Sequence, residues 1–157
     1  MRNIGVISDT HGLMRPEAIA ALRGSDLILH AGDIGRIEVL LALQQIAPVV
    51  AVRGNVDKGA WAASLPEREV ICVDGRSICL LHNLKELNLN PATAGFNAVV
   101  SGHSHQPKLQ IEETVLYLNP GSAGPRRFKL PVSIGRLLLS DGELRGEVVE
   151  LDVPRST

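Results

Sequence analysis

Strand and helix patterns alternate through the first third of the chain, and this alternation leaves few folds open. Short apolar segments at 3–8, 26–30 and 48–52 have the length and composition of buried strands. The segments between them, 15–23 and 37–45, have the apolar spacing of amphipathic helices. Three strands joined by two helices in this order predict right-handed βαβ units in a parallel sheet.

The later part of the chain differs, because its apolar segments come in pairs separated by turn residues. A short strand is predicted at 98–101, after an irregular or helical stretch at 84–97. Three hairpins are predicted: 69–81, turned by Asp74-Gly75, then 108–118, and finally 132–153, turned by Asp141-Gly142. We therefore predict that a parallel sheet from the first half faces a mixed or antiparallel sheet from the second, with helices outside.

Size, charge and hydropathy narrow the class of protein. The 157 residues predict one domain spanning 1–157, and the apolar content of 45% suits a globular protein with a sizeable core. Lys and Arg number 16 and Asp and Glu number 17, so the net charge is −1. This balance gives no excess of positive charge that would indicate binding to nucleic acid or to a membrane surface. Because neither a signal-peptide pattern nor a long apolar run is present, we expect a soluble, cytoplasmic protein.

Five short polar clusters follow, or nearly follow, the strand segments, and they contain four of the five histidines. The carboxyl ends of parallel strands gather at one edge of a sheet, so the first three clusters are expected to meet there. Histidine is the commonest metal ligand, and carboxylate and amide oxygens are its usual companions. The clusters are Asp9-Thr10-His11, Gly32-Asp33, Gly54-Asn55-Val56-Asp57, His82 and Gly102-His103-Ser104-His105.

Each cluster alone has an ordinary structural explanation. A single Asp at a strand end is usually a helix cap, a single His such as His82 is usually structural, and Asn55 is a typical turn former. The Asp-x-His and His-x-His pairs, however, can each direct two side chains to one site or to adjacent ions. Glycines beside the clusters permit sharp turns and close approach of the backbone. Because seven ligand-type side chains occur together at strand ends, the joint pattern favours a metal site.

In their order and spacing, these clusters resemble the five-part signature of calcineurin-like metallophosphoesterases, over residues 4 to about 139. The small size and the Asn119-Pro120-Gly121-Ser122 segment are similar to the compact prokaryotic phosphodiesterase branch of that family. The resemblance implies an α/β fold, namely a four-layer α/β/β/α sandwich of two mixed sheets.

The resemblance also implies a centre of two divalent metal ions. Ligands rich in both histidine nitrogen and oxygen suit Mn, Fe, Ni or Zn better than Ca or Mg, and Mn is favoured. Asp33 is the implied bridging ligand between the two ions. The implied ligands are Asp9, His11, Asp33 and His105 for the first ion, and Asp33, Asn55, His82 and His103 for the second.

The implied reaction is hydrolysis of a small phosphodiester, or of a phosphomonoester, by a hydroxide that bridges the two ions. Asp33, Asn55, Asp57 and His103 are the implied catalytic residues, with Asp57 orienting Asn55 or its turn. The chain departs from the family pattern after Asn55, where many relatives carry a His that protonates the leaving group and this chain has Val56. We therefore predict poor turnover of esters with basic alkoxide leaving groups.

Two other functions stay open at this point. The main alternative is a non-catalytic interaction protein on the same fold, like the retromer scaffold subunit, although a scaffold is expected to lose ligands that this chain retains. A nuclease of long DNA or RNA is disfavoured by the balanced charge. The expected partners are a small phosphoester substrate and further copies of the chain, in a homodimer or a higher homo-oligomer, with no nucleic acid and no membrane.

A few basic residues near the clusters have open roles. His30 ends a strand three residues before Asp33 and is predicted to pack in the core or behind the site. Arg53 precedes the Gly54-Asn55 turn, where a structural salt bridge is favoured over phosphate binding. Substrate phosphate, a neighbouring subunit and solvent are equal alternatives for the contacts of Arg126, Arg127 and Lys129.

Overall fold

The computed structural model describes residues 1–154 and, within them, contains two five-stranded sheets, four short α-helices and a 3₁₀ turn at Leu84–Glu86. Residues 155–157 of the predicted domain lie outside the described residues. The helices, none of which is long and apolar enough to cross a membrane, are α1 (Pro16–Leu22), α2 (Ile37–Gln44), α3 (Ala60–Ala63) and α4 (Pro91–Ala94). The strands are β1 (Arg2–Ile7), β2 (Leu27–His30), β3 (Val49–Ala51), β4 (Arg68–Val73), β5 (Arg76–Leu81), β6 (Ala98–Val100), β7 (Lys108–Glu112), β8 (Val115–Asn119), β9 (Ser133–Ser140) and β10 (Glu143–Glu150).

The first sheet has the strand order β10-β9-β1-β2-β3 and contains the predicted βαβ units. Strands β1, β2 and β3 are parallel, and α1 and α2 connect them. The prediction that this sheet comes from the first half alone is wrong, because β9 pairs antiparallel with β1 and brings β10 with it. An unpaired β1 edge would expose a row of backbone N–H and C=O groups. Hydrophobic patterning identifies the hairpin but not the edge that it covers.

The second sheet has the strand order β4-β5-β6-β8-β7 and is mixed, as predicted. β4 and β5 form the hairpin turned by Asp74-Gly75, with Val73 paired to Arg76. β5, β6 and β8 run parallel to one another, and β7 closes the far edge antiparallel to β8. Both sheets therefore contain parallel strands, whose carboxyl ends are available to position a site.

The sheets face each other across an apolar core, and thin helical layers cover their outer faces. Ile4 and Leu29 of the first sheet pack with Leu80 and Leu118 of the second. Helices α1 and α2 bury Leu22, Val39 and Leu43 against the outside of the first sheet, with Ile7 and Ile28. The outer face of the second sheet is covered by Leu87, Ala92 and Phe96. The α/β/β/α sandwich implied by the resemblance is confirmed.

The predicted ligand loops follow the carboxyl ends of parallel strands in both sheets. β1, β2 and β3 end shortly before Asp9, Asp33 and Asn55, while β5 and β6 end before His82 and His103. A bond from the His103 N–H to Asp9 Oδ2, 3.0 Å long, joins the two sets of loops. Both sheets therefore deliver their polar clusters to the same side of the sandwich.

Leu118→Ala and Leu109→Ala form a matched test of the core between the sheets. The two leucines are paired across β7 and β8, but Leu118 is 1% exposed whereas Leu109 is 42% exposed. Removing the buried side chain leaves a cavity, so we expect Leu118→Ala to lower the free energy of unfolding by about 2–5 kcal/mol. We expect Leu109→Ala to cost about 1 kcal/mol or less. Urea titration measures both losses, and equal losses would contradict the assigned core.

Candidate metal centre

Six of the seven predicted metal ligands come together as two adjacent triads. Within each triad the candidate ligand atoms lie within 4.8 Å of one another. Each triad combines one aspartate from the first sheet with at least one histidine from the second. The first triad is Asp9, His11 and His105, and the second is Asp33, His82 and His103.

In the first triad, buried acceptor atoms converge without hydrogen-bond partners. Asp9 is fully buried, and its Oδ1 lies 3.3 Å from His105 Nε2 and 3.9 Å from His11 Nε2. Asp9 Oδ1 and His11 Nε2 have no hydrogen-bond partner, whereas Asp9 Oδ2 accepts bonds from Ser8 Oγ and the His103 N–H. One carboxylate oxygen is thus fixed by the protein while the other faces the histidines. Buried polar atoms without partners are costly, and a divalent cation with nitrogen and oxygen ligands fits this arrangement.

In the second triad, Asp33 lies between the two groups of ligands. Its Oδ2 is 3.2 Å from His82 Nε2 and 3.7 Å from His11 Nε2, a residue of the first triad. Its Oδ1 accepts a hydrogen bond from the Val56 N–H at 3.0 Å. Asp33 thus stands where a ligand shared by two ions would stand.

A backbone carbonyl fixes the orientation of the His82 ring. His82 Nδ1 is 2.7 Å from the Ala31 carbonyl oxygen, and because a carbonyl can only accept, Nδ1 carries the proton. Nε2 therefore points towards Asp33 and lies 3.3 Å from His103 Nδ1. A histidine ligand oriented through its other nitrogen in this way is typical of metal sites.

Opposite charges at the second triad shift both pKa values towards the ionised forms. Burial raises the pKa of Asp33, but hydrogen bonds from His82 and the Val56 N–H outweigh burial and hold that pKa well below its usual range. Burial lowers the pKa of His82, but the Asp33 and Asp9 carboxylates raise it by more. Asp33 is therefore ionised at neutral pH, as a cation site requires.

The ligand residues occupy an unusual region of backbone conformation. Left-handed φ values of this kind cost of order 1–3 kcal/mol each in non-glycine residues and concentrate at functional sites. Short hydrogen bonds, such as His11 N–H to the Asp33 carbonyl at 2.9 Å, hold the loops in place. The residues concerned are Asp9 (φ 55°), His11 (47°), Asp33 (55°), His103 (72°) and His105 (64°).

Asp57 joins two loops of the centre through their backbones. Its Oδ1 accepts a hydrogen bond from the Gly35 N–H at 2.9 Å, and its Oδ2 accepts one from the Gly54 N–H at 2.8 Å. A Cβ at Gly54 would collide with the Asp33 backbone and side chain, so only glycine permits this approach. Asp57 thereby positions the turn that carries Asn55, in line with the orienting role implied for it.

The structure also shows the contacts of three other polar residues near the centre. His30 is fully buried, as predicted: its Nδ1 accepts the Gly32 N–H (3.1 Å) and its Nε2–H donates to Thr10 Oγ1 (3.0 Å). Arg53 forms the favoured salt bridge, with Glu67 at 3.1 Å. Asn55 is exposed at its turn and lines a cleft beside His82. Its assignment as a ligand stays a prediction.

Three supporting residues were not assigned a role from the sequence. Ser8 Oγ donates to Asp9 Oδ2 at 2.6 Å, and Ser122 Oγ donates to the Asp9 carbonyl at 3.0 Å. Asn119 Nδ2 donates to the Gly102 carbonyl at 3.0 Å. In the sequence, the segment 119–122 shows only a resemblance to the family. Its residue types do not indicate which backbone carbonyls accept its hydrogen bonds.

Two clefts open beside the centre, and we name each after the ligand that lines it. The His82 cleft has a volume of about 420 Å³ and is also lined by Asn55 and Arg53. The His103 cleft has a volume of about 620 Å³ and is also lined by Ser104 and Tyr117. Arg126 and Lys129 line a separate surface cavity, where Arg126 donates to the Val153 carbonyl at 3.0 Å. Neither of these two side chains lines a cleft at the centre.

Comparison with known proteins places this arrangement in a family. Residues 1–142 match the calcineurin-like phosphoesterase superfamily domain. A probable metallophosphoesterase of Methanothermobacter thermautotrophicus is 33% identical over 163 residues, covering 96% of this chain and 94% of the relative.

Solved structures share the fold at lower identity. A novel archaeal phosphodiesterase matches with a TM-score of 0.78 at 22% identity, covering 94% of this chain and 99% of its own. Wild-type Vps29 of Entamoeba histolytica, complexed with Zn²⁺, matches with a TM-score of 0.71 at 22% identity, covering 94% and 98%. At this level of identity the two structures establish the fold alone.

His30 is expected to make the metal-free fold sensitive to acid. Burial lowers the pKa of His30 from 6.5 to about 4, so between these values the unfolded chain binds a proton that the folded chain does not. This stabilisation is complete above pH 6.5, is lost as the pH falls towards 4, and is worth on the order of 3 kcal/mol. We expect His30→Gln, stripped of metal, to lose less stability than the wild-type chain between pH 7 and pH 4.5. Denaturant titrations at several pH values measure this, and identical pH profiles would contradict the assignment.

Proposed function

Because the chain belongs to the calcineurin-like phosphoesterase superfamily, we propose that it is a phosphodiesterase that hydrolyses a small phosphodiester at two divalent metal ions. The observation that carries this proposal is the pair of adjacent triads, with the Asp33 carboxylate between them. The family match over residues 1–142 and the 33% identical relative confirm the predicted family. The two-ion centre and the preference for diesters are proposals.

Asp9, His11, Asp33 and His105 would hold one ion, and Asp33, Asn55, His82 and His103 would hold the other. Their mixed nitrogen and oxygen atoms favour Mn²⁺ or a neighbouring transition metal. When bound, such ions act as Lewis acids on phosphate oxygens and lower the pKa of a coordinated water.

The protein's own contribution is to hold the reacting groups in place. Asp33 stays ionised, and the Ala31 carbonyl and the Val56 N–H keep His82 and Asp33 from rotating. His103 and Asn55 are the exposed members of the ligand set, so a phosphate that enters the centre meets them first. Preorganised groups of this kind stabilise developing charge without reorganising during the reaction.

The two clefts support a diester over a monoester. The His82 cleft and the His103 cleft each include one histidine of the second triad and share Asn83 as a lining residue. A phosphate held at the centre can thus place one ester substituent in each cleft. A monoester would leave one cleft without a substituent.

A scaffold function is the second candidate, because Vps29 structures share the fold. One of them is a complex with Zn²⁺, so metal binding alone does not separate a scaffold from an enzyme. Full-length identity of 33% to a probable metallophosphoesterase, against 22% to that Vps29, favours the enzyme. Turnover distinguishes the two functions directly.

We expect metal-stripped protein to regain hydrolysis of bis-p-nitrophenyl phosphate on addition of Mn²⁺, with slower hydrolysis of p-nitrophenyl phosphate. Asp33→Asn removes the charge between the triads and should lower kcat/KM by about 100-fold or more. Asp74→Asn is the matched control, since Asp74 pairs with Arg2 on the surface, and it should retain full activity. If Mn²⁺, Ni²⁺, Zn²⁺ and Mg²⁺ all bind without restoring turnover, the scaffold function is favoured instead.

Val56→His tests the absence of a proton donor beside the centre. Val56 is 46% exposed and donates its backbone N–H to Asp33 Oδ1, so the substitution keeps that bond. Across aryl phosphodiesters of increasing leaving-group pKa, we expect kcat of the wild-type enzyme to fall steeply. The histidine should flatten this dependence and raise turnover of the poorest leaving groups by about 10-fold or more. Val56→Ala is the control for side-chain size. If log kcat falls with leaving-group pKa at the same slope in the wild type and both variants, the prediction that a proton donor is missing at position 56 is wrong.

A further inference from the structure

The His103 cleft is built to select one class of ester substituent. We propose that it binds a substituent that combines an aromatic ring with a negatively charged group, so that the preferred substrate is an anionic aryl or nucleotide-like phosphodiester. This inference rests on the proposed function, because it assigns a substituent of the same substrate. It depends on four features of the cleft: its floor, its attachment to the centre, its charge and its apolar surface.

The floor of the cleft is the outer face of the second sheet. Lys108 is paired with Asn119 and Gln110 with Tyr117 across β7 and β8, so these side chains share one face. The alternate residue Leu118 points the other way, into the core between the sheets. A regular sheet surface forms this floor, and it is more rigid than a loop.

Hydrogen bonds tie this floor to the metal centre. Asn119 Nδ2 donates to the Gly102 carbonyl at 3.0 Å and to Ser104 Oγ at 3.1 Å. These two residues flank His103, whose N–H is in turn bound to Asp9 Oδ2. A group bound on the floor is therefore held at a fixed distance from the centre, which is what positioning of a substrate requires.

The charged side chains that line the cleft are two lysines. Lys85, from the 3₁₀ turn, and Lys108, from β7, line it together, and no aspartate or glutamate does so. Within residues 1–154 neither lysine forms an ion pair. The His82 cleft differs, since its two arginines, Arg53 and Arg68, are balanced by two glutamates, Glu67 and Glu86. An anionic group is therefore favoured in the His103 cleft and not in the other.

Apolar surface accompanies this charge. Leu84, which is 39% exposed, lines the cleft with Pro107 and the half-buried Tyr117. A planar ring packs on such a surface, and an aromatic neighbour such as Tyr117 adds to that attraction. The volume of about 620 Å³ is within the range of small-molecule sites. The aromatic ring of the proposed substituent would therefore pack on this apolar surface, and its anionic group would lie near the two lysines.

A matched pair of diesters tests the proposal in the Mn²⁺-loaded protein. Phenyl p-nitrophenyl phosphate and 4-carboxyphenyl p-nitrophenyl phosphate break the same bond and release the same p-nitrophenolate. We expect the wild-type enzyme to prefer the carboxylate in kcat/KM by about fivefold, since exposed ion pairs are worth little each. High salt should reduce this preference. In the Lys85→Gln, Lys108→Gln double variant the ratio should fall to about one, while Lys129→Gln should keep the wild-type ratio and rate.

Binding of more slowly hydrolysed analogues, which lack the p-nitrophenyl leaving group, separates this proposal from the proposed function. Calorimetry compares diphenyl phosphate with 4-carboxyphenyl phenyl phosphate, again with Mn²⁺ bound. Tighter binding of the carboxylate that depends on the two lysines supports the cleft assignment, even if no diester is hydrolysed and the proposed function fails. Equal binding by the wild-type protein, or a preference that survives in the double variant, overturns the cleft assignment whatever the turnover.

Discussion

Carboxylates from one sheet meet imidazoles from the other at a single edge of the sandwich. Asp33 Oδ2 lies 3.2 Å from His82 Nε2, and Asp9 Oδ1 lies 3.3 Å from His105 Nε2. Buried carboxylates without compensating positive charge are costly. The edge is therefore stable only when protons or metal ions supply that charge. The same electrostatic requirement applies where the two sheets meet and makes their junction a candidate cation site.

Placing those side chains requires loops that an isolated backbone does not favour. The left-handed residues persist because other groups bind their backbones: Asp57 holds Gly35 and Gly54, Ser122 holds the Asp9 carbonyl, and Asn119 holds Gly102. These supporting bonds explain how the centre keeps its geometry although its ligands come from five separate loops. Residues outside the set of candidate ligands thus contribute to the site by fixing the loops that carry those ligands.

The six residues of the triads could be predicted from the sequence as candidate ligands because they follow apolar strands, where the parallel pattern itself specifies the edge. The supporting bonds could not, since Ser122 and Asp9 are 113 residues apart and a serine in a turn has many possible partners. The position of the β9–β10 hairpin escaped prediction for a similar reason. Its residues encode pairing with each other, while pairing of β9 with β1 depends on the complete sandwich. Local patterns predict elements and their ends, whereas long-range contacts decide which edges and backbone atoms they meet.

The central claim is that the two triads hold two ions that share Asp33. Crystals soaked in Mn²⁺ and measured for anomalous scattering test it most directly. We expect two peaks roughly 3.5–4 Å apart, one beside Asp9, His11 and His105 and the other beside His82 and His103, with Asp33 contacting both. A single peak, or peaks away from these side chains, would contradict it.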